Sequence, residues 1–296
     1  MRAATMRWKG EEAAAVVVPG GFVPLGVING RYGKKWSTDM LGLLARGEFG
    51  QLHEWYRSGG RERLEREIPV PFEEAAFAPL YRHPPKIWGI GLNYVEHAAD
   101  LAEKAPDDEP ASFMKPDTTI IGPGEAIAIP RQSEKTTAEA ELGIVIGRRC
   151  RDVEREDCLS VVAGYTTILD VTAEDILRKN PRFLTRAKSF DTFFSFGPQL
   201  VTPDEIADVM KLSVATVING KVHAQNVVSN MTFPPDFLVS FHSRVMTLLP
   251  GDILSTGTPK AVHVHEGDVV ECRIDGFPTL TNPVIDLKKR PASSGS

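Results

Sequence analysis

Thr137-Ala138-Glu139-Ala140-Glu141-Leu142-Gly143-Ile144-Val145-Ile146-Gly147 is the stretch on which the reading of this chain turns. It becomes apolar and β-branched towards its end, which predicts a strand. Alternate residues of a strand share a face. Glu139 and Glu141 therefore point one way, and Ala138, Ala140, Leu142, Ile144 and Ile146 the other. Two carboxylates side by side repel, and one of them holds its proton more tightly unless a cation compensates. A hard divalent ion with oxygen ligands is the simplest such cation. The competing reading is a solvated strand face carrying two surface glutamates.

A third carboxylate follows. Gly164-Tyr165-Thr166-Thr167-Ile168-Leu169 reads as a second strand ending at Asp170, with Thr172 capping a helix that has Asp175 at its third position. Three carboxylates suit Mg²⁺ or Mn²⁺ and leave open positions for substrate and water. Lys188, in Arg186-Ala187-Lys188-Ser189-Phe190-Asp191, can neutralise charge beside them, or can be an ordinary surface lysine. His97 and Asp100 lie three residues apart in a predicted helix over 94–103. Side chains at that spacing share a face, so they form either an imidazole–carboxylate dyad suited to a general base or an incidental surface pair.

Other motifs carry less. Gly89-x-Gly91 follows a strand, but Tyr94 stands where a dinucleotide fingerprint needs its third glycine. His263-x-His265 lacks an evident third zinc ligand nearby and reads as a surface pair. No G-x-S-x-G is present to make a nucleophile elbow.

The chain has 296 residues, 42% apolar and 25% charged, the balance of a soluble globular protein, and its net charge of −5 argues against nucleic acid or an anionic membrane as partner. Cys150, Cys158 and Cys272 form no C-x-x-C pair and read as reduced thiols of a cytoplasmic protein. The N-terminus lacks the uninterrupted apolar stretch of a signal peptide, and the apolar run over 13–28 is broken by Pro19, Gly20, Gly21, Pro24 and Gly26.

The organisation predicted is mixed α+β and mostly β. Residues 1–80 form a small α+β domain. Within it, short strands flank the turn Pro19-Gly20-Gly21, Asn29-Gly30 is a hairpin signal, and amphipathic helices occupy 39–56 and 61–67. Pro84-Pro85 closes a linker. A strand-rich catalytic domain spans 84–289, with helices from 172 and over 235–247. The tail, 290–296, is read as disordered.

Several segments together resemble the fumarylacetoacetate hydrolase family. They are Gly89-Ile90-Gly91-Leu92-Asn93-Tyr94-x-x-His97-Ala98-Ala99, Phe113-Met114-Lys115-Pro116, Ile121-Gly122-Pro123-Gly124, the Glu139–Gly147 run, Gly164-Tyr165-x-x-x-x-Asp170-Val171-Thr172-Ala173 and Lys188-Ser189-Phe190-Asp191-Thr192. Met246-Thr247-Leu248-x-Pro250-Gly251-Asp252-Ile253-Leu254-x-Thr256-Gly257-Thr258-Pro259 and Gly267-Asp268-Val269-Val270-Glu271 complete the set. Each is weak alone; their order over 86–285 is specific.

The resemblance implies a β-roll catalytic domain, usually homodimeric, with Mg²⁺ or Mn²⁺ on Glu139, Glu141 and Asp170 and with Lys188 beside the ion. It further implies that Thr258 contacts a substrate carboxylate and that His97 sits on a lid over the metal. Relatives that hydrolyse acylpyruvates pair this His with a Glu three residues on; here the position is Asp100, one methylene shorter. Val227-Val228 and Ala261 replace residues that are polar or Gly in many relatives, which points to a more apolar pocket.

The reaction expected is hydrolysis of a C–C bond in an acylpyruvate-like diketo or 2-oxo acid. The cation stabilises developing enolate charge while His97 deprotonates water. Decarboxylation and keto–enol or double-bond isomerisation use the same enolate and stand as the alternative. A non-catalytic metal-binding protein is the reading from another class.

Overall fold

A computed structural model describes residues 1–94 and 108–291 of the chain. His97, Asp100, nearly all of the predicted 94–103 helix and residues 292–296 of the predicted tail lie outside the described residues.

The chain opens with β1 (Arg2–Trp8) and β2 (Glu11–Val18), a hairpin turned by Lys9 and Gly10, both at positive φ. β3 (Gly21–Pro24) returns along β2. Helices α1 (Leu25–Tyr32), α2 (Met40–Ala45), α3 (Glu48–Trp55) and α4 (Arg61–Leu64) follow, and β4 (Ala76–Phe77) pairs with β1. The predicted helices at 39–56 are present, and Gly47, at φ 68°, divides α2 from α3.

Asn29-Gly30 does not turn a hairpin; both residues lie inside α1. Leu25 and Ile28, at helical spacing, bury one face of that helix. The Asn29 amide then bonds Trp36 in both directions, tying down the loop beyond it. Tertiary burial overrode a local turn signal.

Next come β5 (Ile87–Gly91), β6 (Ala111–Lys115), β7 (Ile120–Ile121), β8 (Ile127–Ile129), β9 (Thr136–Ile146) and β10 (Val162–Ala173). Helices α5 (Glu174–Lys179) and α6 (Leu184–Lys188) lead to β11 (Phe194–Val201), β12 (Ser213–Ile218) and β13 (Lys221–Val227). After α7 (Pro235–Val245) come β14 (Ile253–Ser255), β15 (Val262–His263), β16 (Val269–Ile274) and β17 (Leu280–Asp286).

Two sheets result. One runs β3-β2-β1-β11-β10-β9-β14-β5-β6, with β15, β4 and β7 attached off that path; the other runs β13-β12-β16-β17-β8. The architecture is mixed α+β and mostly β. Ala138, Ala140, Leu142 and Ile144 of β9 pack with Val214, Val270, Cys272 and Leu280 of the smaller sheet in one core. The N-terminal helices bury Leu25, Met40, Leu44 and Leu52 with Val145, Ile168, Phe194 and Phe196 in a second core.

β10 differs from expectation. It does not stop at Asp170 but pairs with β9 as far as Ala173, opposite Thr136. Thr172 is accordingly a strand residue and not a helix cap, and α5 starts without a side-chain cap. The ladder continues because Thr136 and Thr137 still offer strand-forming partners for Ala173 and Thr172.

At β5 and β6 the absence of a side chain is itself structural. A Cβ on Gly89 would stand 2.2 Å from Cζ of Phe113, so the phenyl ring occupies that space. Gly89→Ala is expected to cost about 1–3 kcal/mol by overpacking and to lower the urea midpoint without changing the slope. Unchanged stability in equilibrium urea unfolding would show that the Phe113 ring moves freely aside.

Candidate active site

The β9–β10 register sets Asp170 directly opposite Glu139, and Ile168 opposite Glu141. Period two then gathers Glu139, Glu141 and Asp170 on one face. One ligand oxygen from each lies within 4.8 Å of the others. They are 7%, 1% and 0% exposed, so a solvated strand face is excluded.

Hydrogen bonds fix five of the six carboxylate oxygens in this cradle. Lys188, the last residue of α6, donates from Nζ to Glu139 Oε2 at 2.9 Å and to Asp170 Oδ2 at 2.5 Å. Thr172 donates to Glu139 Oε1 at 3.1 Å. Ser255 Oγ and the Gly257 amide both donate to Glu141 Oε2, at 2.5 and 2.8 Å. The Gly257 backbone reaches it at φ 94°, and a Cβ there would meet Asn93 Cβ at 2.8 Å. Lys115 was not among the residues expected at the site. It is buried, and its Nζ donates to Asp170 Oδ1 at 2.5 Å and to the Val171 carbonyl at 3.2 Å.

Two lysines thus face three carboxylates. Burial opposes charge on both Lys188 and Asp170. The attraction of Asp170, Glu139 and Glu141 outweighs it for Lys188, whose ammonium is held well above its usual range. Lys115 and Lys188 outweigh it for Asp170, whose carboxyl is held low. Glu141 accepts no lysine hydrogen bond among the described residues: burial, then repulsion from Asp170 and Glu139, outweighs the pull of Lys188 and pushes it up to about 8. For Lys115, burial wins over the pull of Asp170 and brings it down to about 8.

The donor set is therefore all-oxygen and short of one positive charge, which fits a hard divalent ion such as Mg²⁺ or Mn²⁺. An ionised carboxylate has about four lone-pair sites, so the lysine bonds leave Glu139 and Asp170 able to ligate.

The carboxylates Glu139 and Glu141, together with Lys188, line a cleft of about 200 Å³. Thr258 lines it as well, its hydroxyl donating to the Lys260 carbonyl at 3.2 Å. Ala261 is also on the wall. Val228 instead belongs to the core, and Val227 is not on the cleft, so the valine pair does not explain its apolar character. The rings of His263 and His265 lie 4.2 Å apart, tilted by 46°, and neither belongs to the carboxylate cluster; His265 is mostly exposed, as a surface residue would be.

Asn93 shows where the segment carrying His97 leaves the site. It is buried, donates to the carbonyls of Phe233 and Thr256 at 3.0 and 2.7 Å, and accepts from the Phe233 amide. His97 is four residues further on, within about 14 Å of reach for an extended chain.

With this geometry the fold and site define a class, and the chain belongs to the fumarylacetoacetate (FAA) hydrolase C-terminal family, whose model matches residues 86–285. It is 34% identical over 248 residues to human mitochondrial oxaloacetate tautomerase FAHD2B, covering 80% of this chain and 79% of that one. Its structure is similar to that of maleylpyruvate hydrolase from Sphingobium sp. SYK-6 in complex with manganese(II) and pyruvate, with a TM-score of 0.79, 26% identity and coverage of 97% and 99% of the two chains. It is also similar to 5-carboxymethyl-2-hydroxymuconate delta-isomerase from Mycobacterium smegmatis, with a TM-score of 0.74, 29% identity and coverage of 97% and 99%.

Two outcomes follow from the charge deficit at Glu141. Glu141→Ala is expected to abolish Mn²⁺ binding in titration calorimetry while the chain stays folded; an unchanged affinity refutes its role as a ligand. In the metal-free protein Glu141 is raised from 4.5 to about 8, so the native state holds a proton that the unfolded chain releases. Its contribution to stability is complete below about pH 4.5 and is lost as pH rises through about 8. Ion binding displaces that proton. Calorimetry at pH 7 in buffers of different ionisation enthalpy should therefore show about one proton released per Mn²⁺ in the parent.

Proposed function

We propose that this protein is a divalent-metal-dependent hydrolase that cleaves a C–C bond in an acylpyruvate-like diketo or 2-oxo acid. The observation that carries the reading is the buried Glu139–Glu141–Asp170 cradle, bridged by Lys188 and opening onto a cleft. The three carboxylates would hold Mg²⁺ or Mn²⁺. Such an ion, when bound, supplies Lewis acidity that polarises a 2-oxo acid and favours its enolate.

The remaining work falls to side chains of this chain. Lys188 presents an ammonium where negative charge develops on a substrate oxygen; a single donor of this kind is typically worth about 3 kcal/mol. Thr258 positions the substrate carboxylate. His97, oriented by Asp100, takes a proton from water, and the resulting hydroxide adds to the distal carbonyl. The C–C bond between that carbonyl carbon and the neighbouring carbon breaks, and its electron pair goes to the enolate of pyruvate. Protonation of the enolate carbon then yields pyruvate and a carboxylic acid. Asn93, anchored beside Gly257, supports this placement of His97.

Decarboxylation of oxaloacetate, or isomerisation of a related oxo acid, is the second reading, supported by the oxaloacetate tautomerase and delta-isomerase among the relatives. We also propose the division into an N-terminal domain (1–80), a catalytic domain (84–289) and a tail (290–296). The family resemblance supports a homodimer, and the three free cysteines support a cytoplasmic setting.

With acetylpyruvate and Mg²⁺, loss of diketone absorbance with release of pyruvate is expected; CO₂ release from oxaloacetate in its place would favour the second reading. His97→Ala is expected to keep its Mn²⁺ affinity and to lose at least about 10²-fold in hydrolysis. Cleavage by this variant at the parent rate would remove His97 from the mechanism.

A further inference from the structure

The lining of the cleft is not uniform, and its apolar part carries information about the substrate. Besides the carboxylates it is lined by Ile90, Leu92 and Phe113, at β5 and β6, and by Leu177, Pro181 and Leu184 of the α5–α6 segment. A charged group entering there would exchange water for hydrocarbon.

Four described cations around the cleft already bond carboxylates. Lys188 is held by Glu139 and Asp170. Lys115 is held by Asp170 and the Val171 carbonyl and does not line the cleft. Lys135 and Arg178 both pair with Glu174, Lys135 at 3.0 Å. Glu174 itself is on the cleft wall, its charge already met by both of these cations. Among the described lining residues the one cation is Lys188, held by the cradle, so away from the cradle a second substrate carboxylate finds mainly hydrocarbon.

We infer that the substrate's distal group is uncharged and apolar: an alkyl or aryl acyl chain on a pyruvate-like head, in contrast to a diacid. This rests on the proposed binding of a 2-oxo acid at the carboxylate cradle. It adds to that reading a specificity surface formed by β5, β6 and the α5–α6 segment. Each methylene buried against these walls is expected to tighten binding roughly fourfold until the cleft is filled. A terminal carboxylate is expected to weaken it by at least about tenfold, the discrimination an unmatched polar group brings.

The test separates this inference from the hydrolase reading by using ligands that cannot undergo C–C hydrolysis. Calorimetry on the Mn²⁺-loaded protein compares 2-oxohexanoate with 2-oxoglutarate, which share the oxo-acid head and nearly the same length. The expected result is at least about tenfold tighter binding of 2-oxohexanoate. Equal or tighter binding of 2-oxoglutarate overturns the inference.

Leu184→Lys places an ammonium on one wall and Ala111→Lys, at an exposed position, on the other. At least one folded variant is expected to shift the ratio towards 2-oxoglutarate, and an unchanged ratio in both overturns the assignment of these walls. If the preference is seen but no acylpyruvate is cleaved, the inference stands and the hydrolase reading falls. If neither oxo acid binds, both fall.

Discussion

The structure depends on how two carboxylates are tolerated directly opposite each other inside a sheet. Glu139 on β9 and Asp170 on β10 are register partners, and like charges in that relation destabilise a sheet even at a surface. Here both are buried. Lys188 resolves the conflict by bonding to both at once, and Lys115 takes the other oxygen of Asp170. Removing one member of such a buried set leaves a charge with no partner, which is far costlier than never having had the pair. The neighbouring elements follow from this need. α6 ends at Lys188, the Phe113 ring lies 4.6 Å beneath the Lys188 ammonium, and Gly89 leaves room for that ring.

Much of this was legible in the sequence because period two is a strong code. The alternation around Glu139 and Glu141 predicted both the strand and the face, and the apolar partners Ala138 to Ile146 lie in the core as read. What the code does not contain is partner register. Asp170 looked like a strand end, because a carboxylate before Val-Thr-Ala-Glu-Asp resembles a helix entry. Three more ladder positions, opposite Ala138, Thr137 and Thr136, made it a strand interior residue.

Lys115 was passed over although a signal existed. Phe113 and Lys115 alternate on the inward side of β6, and a lysine at an inward position implies a buried counter-charge. The supports of Glu141 were beyond reach, since Ser255 and Gly257 meet it across more than 110 residues of chain. Leu177, Pro181 and Leu184 were equally hidden. They are a wall only because α5 and α6 fold back over the sheet.

A carboxylate cradle with a lysine does not by itself choose a reaction. Hydrolysis, decarboxylation and tautomerisation all pass through an enolate that needs the same charge stabilisation. The choice must come from whatever stands over the distal part of the substrate: a base that activates water, or a dry wall that excludes it. Asn93 fastens the start of the segment carrying His97 to the carbonyl of Thr256, whose neighbours Ser255 and Gly257 hold Glu141. At Asn93 the described chain is therefore fixed to the loop that supports the carboxylate most in need of a cation. Asn93 and the hydrogen bonds that hold Glu141 share one anchor, residues 255–257, so displacing Asn93 would also disturb the carboxylate that an ion would relieve most.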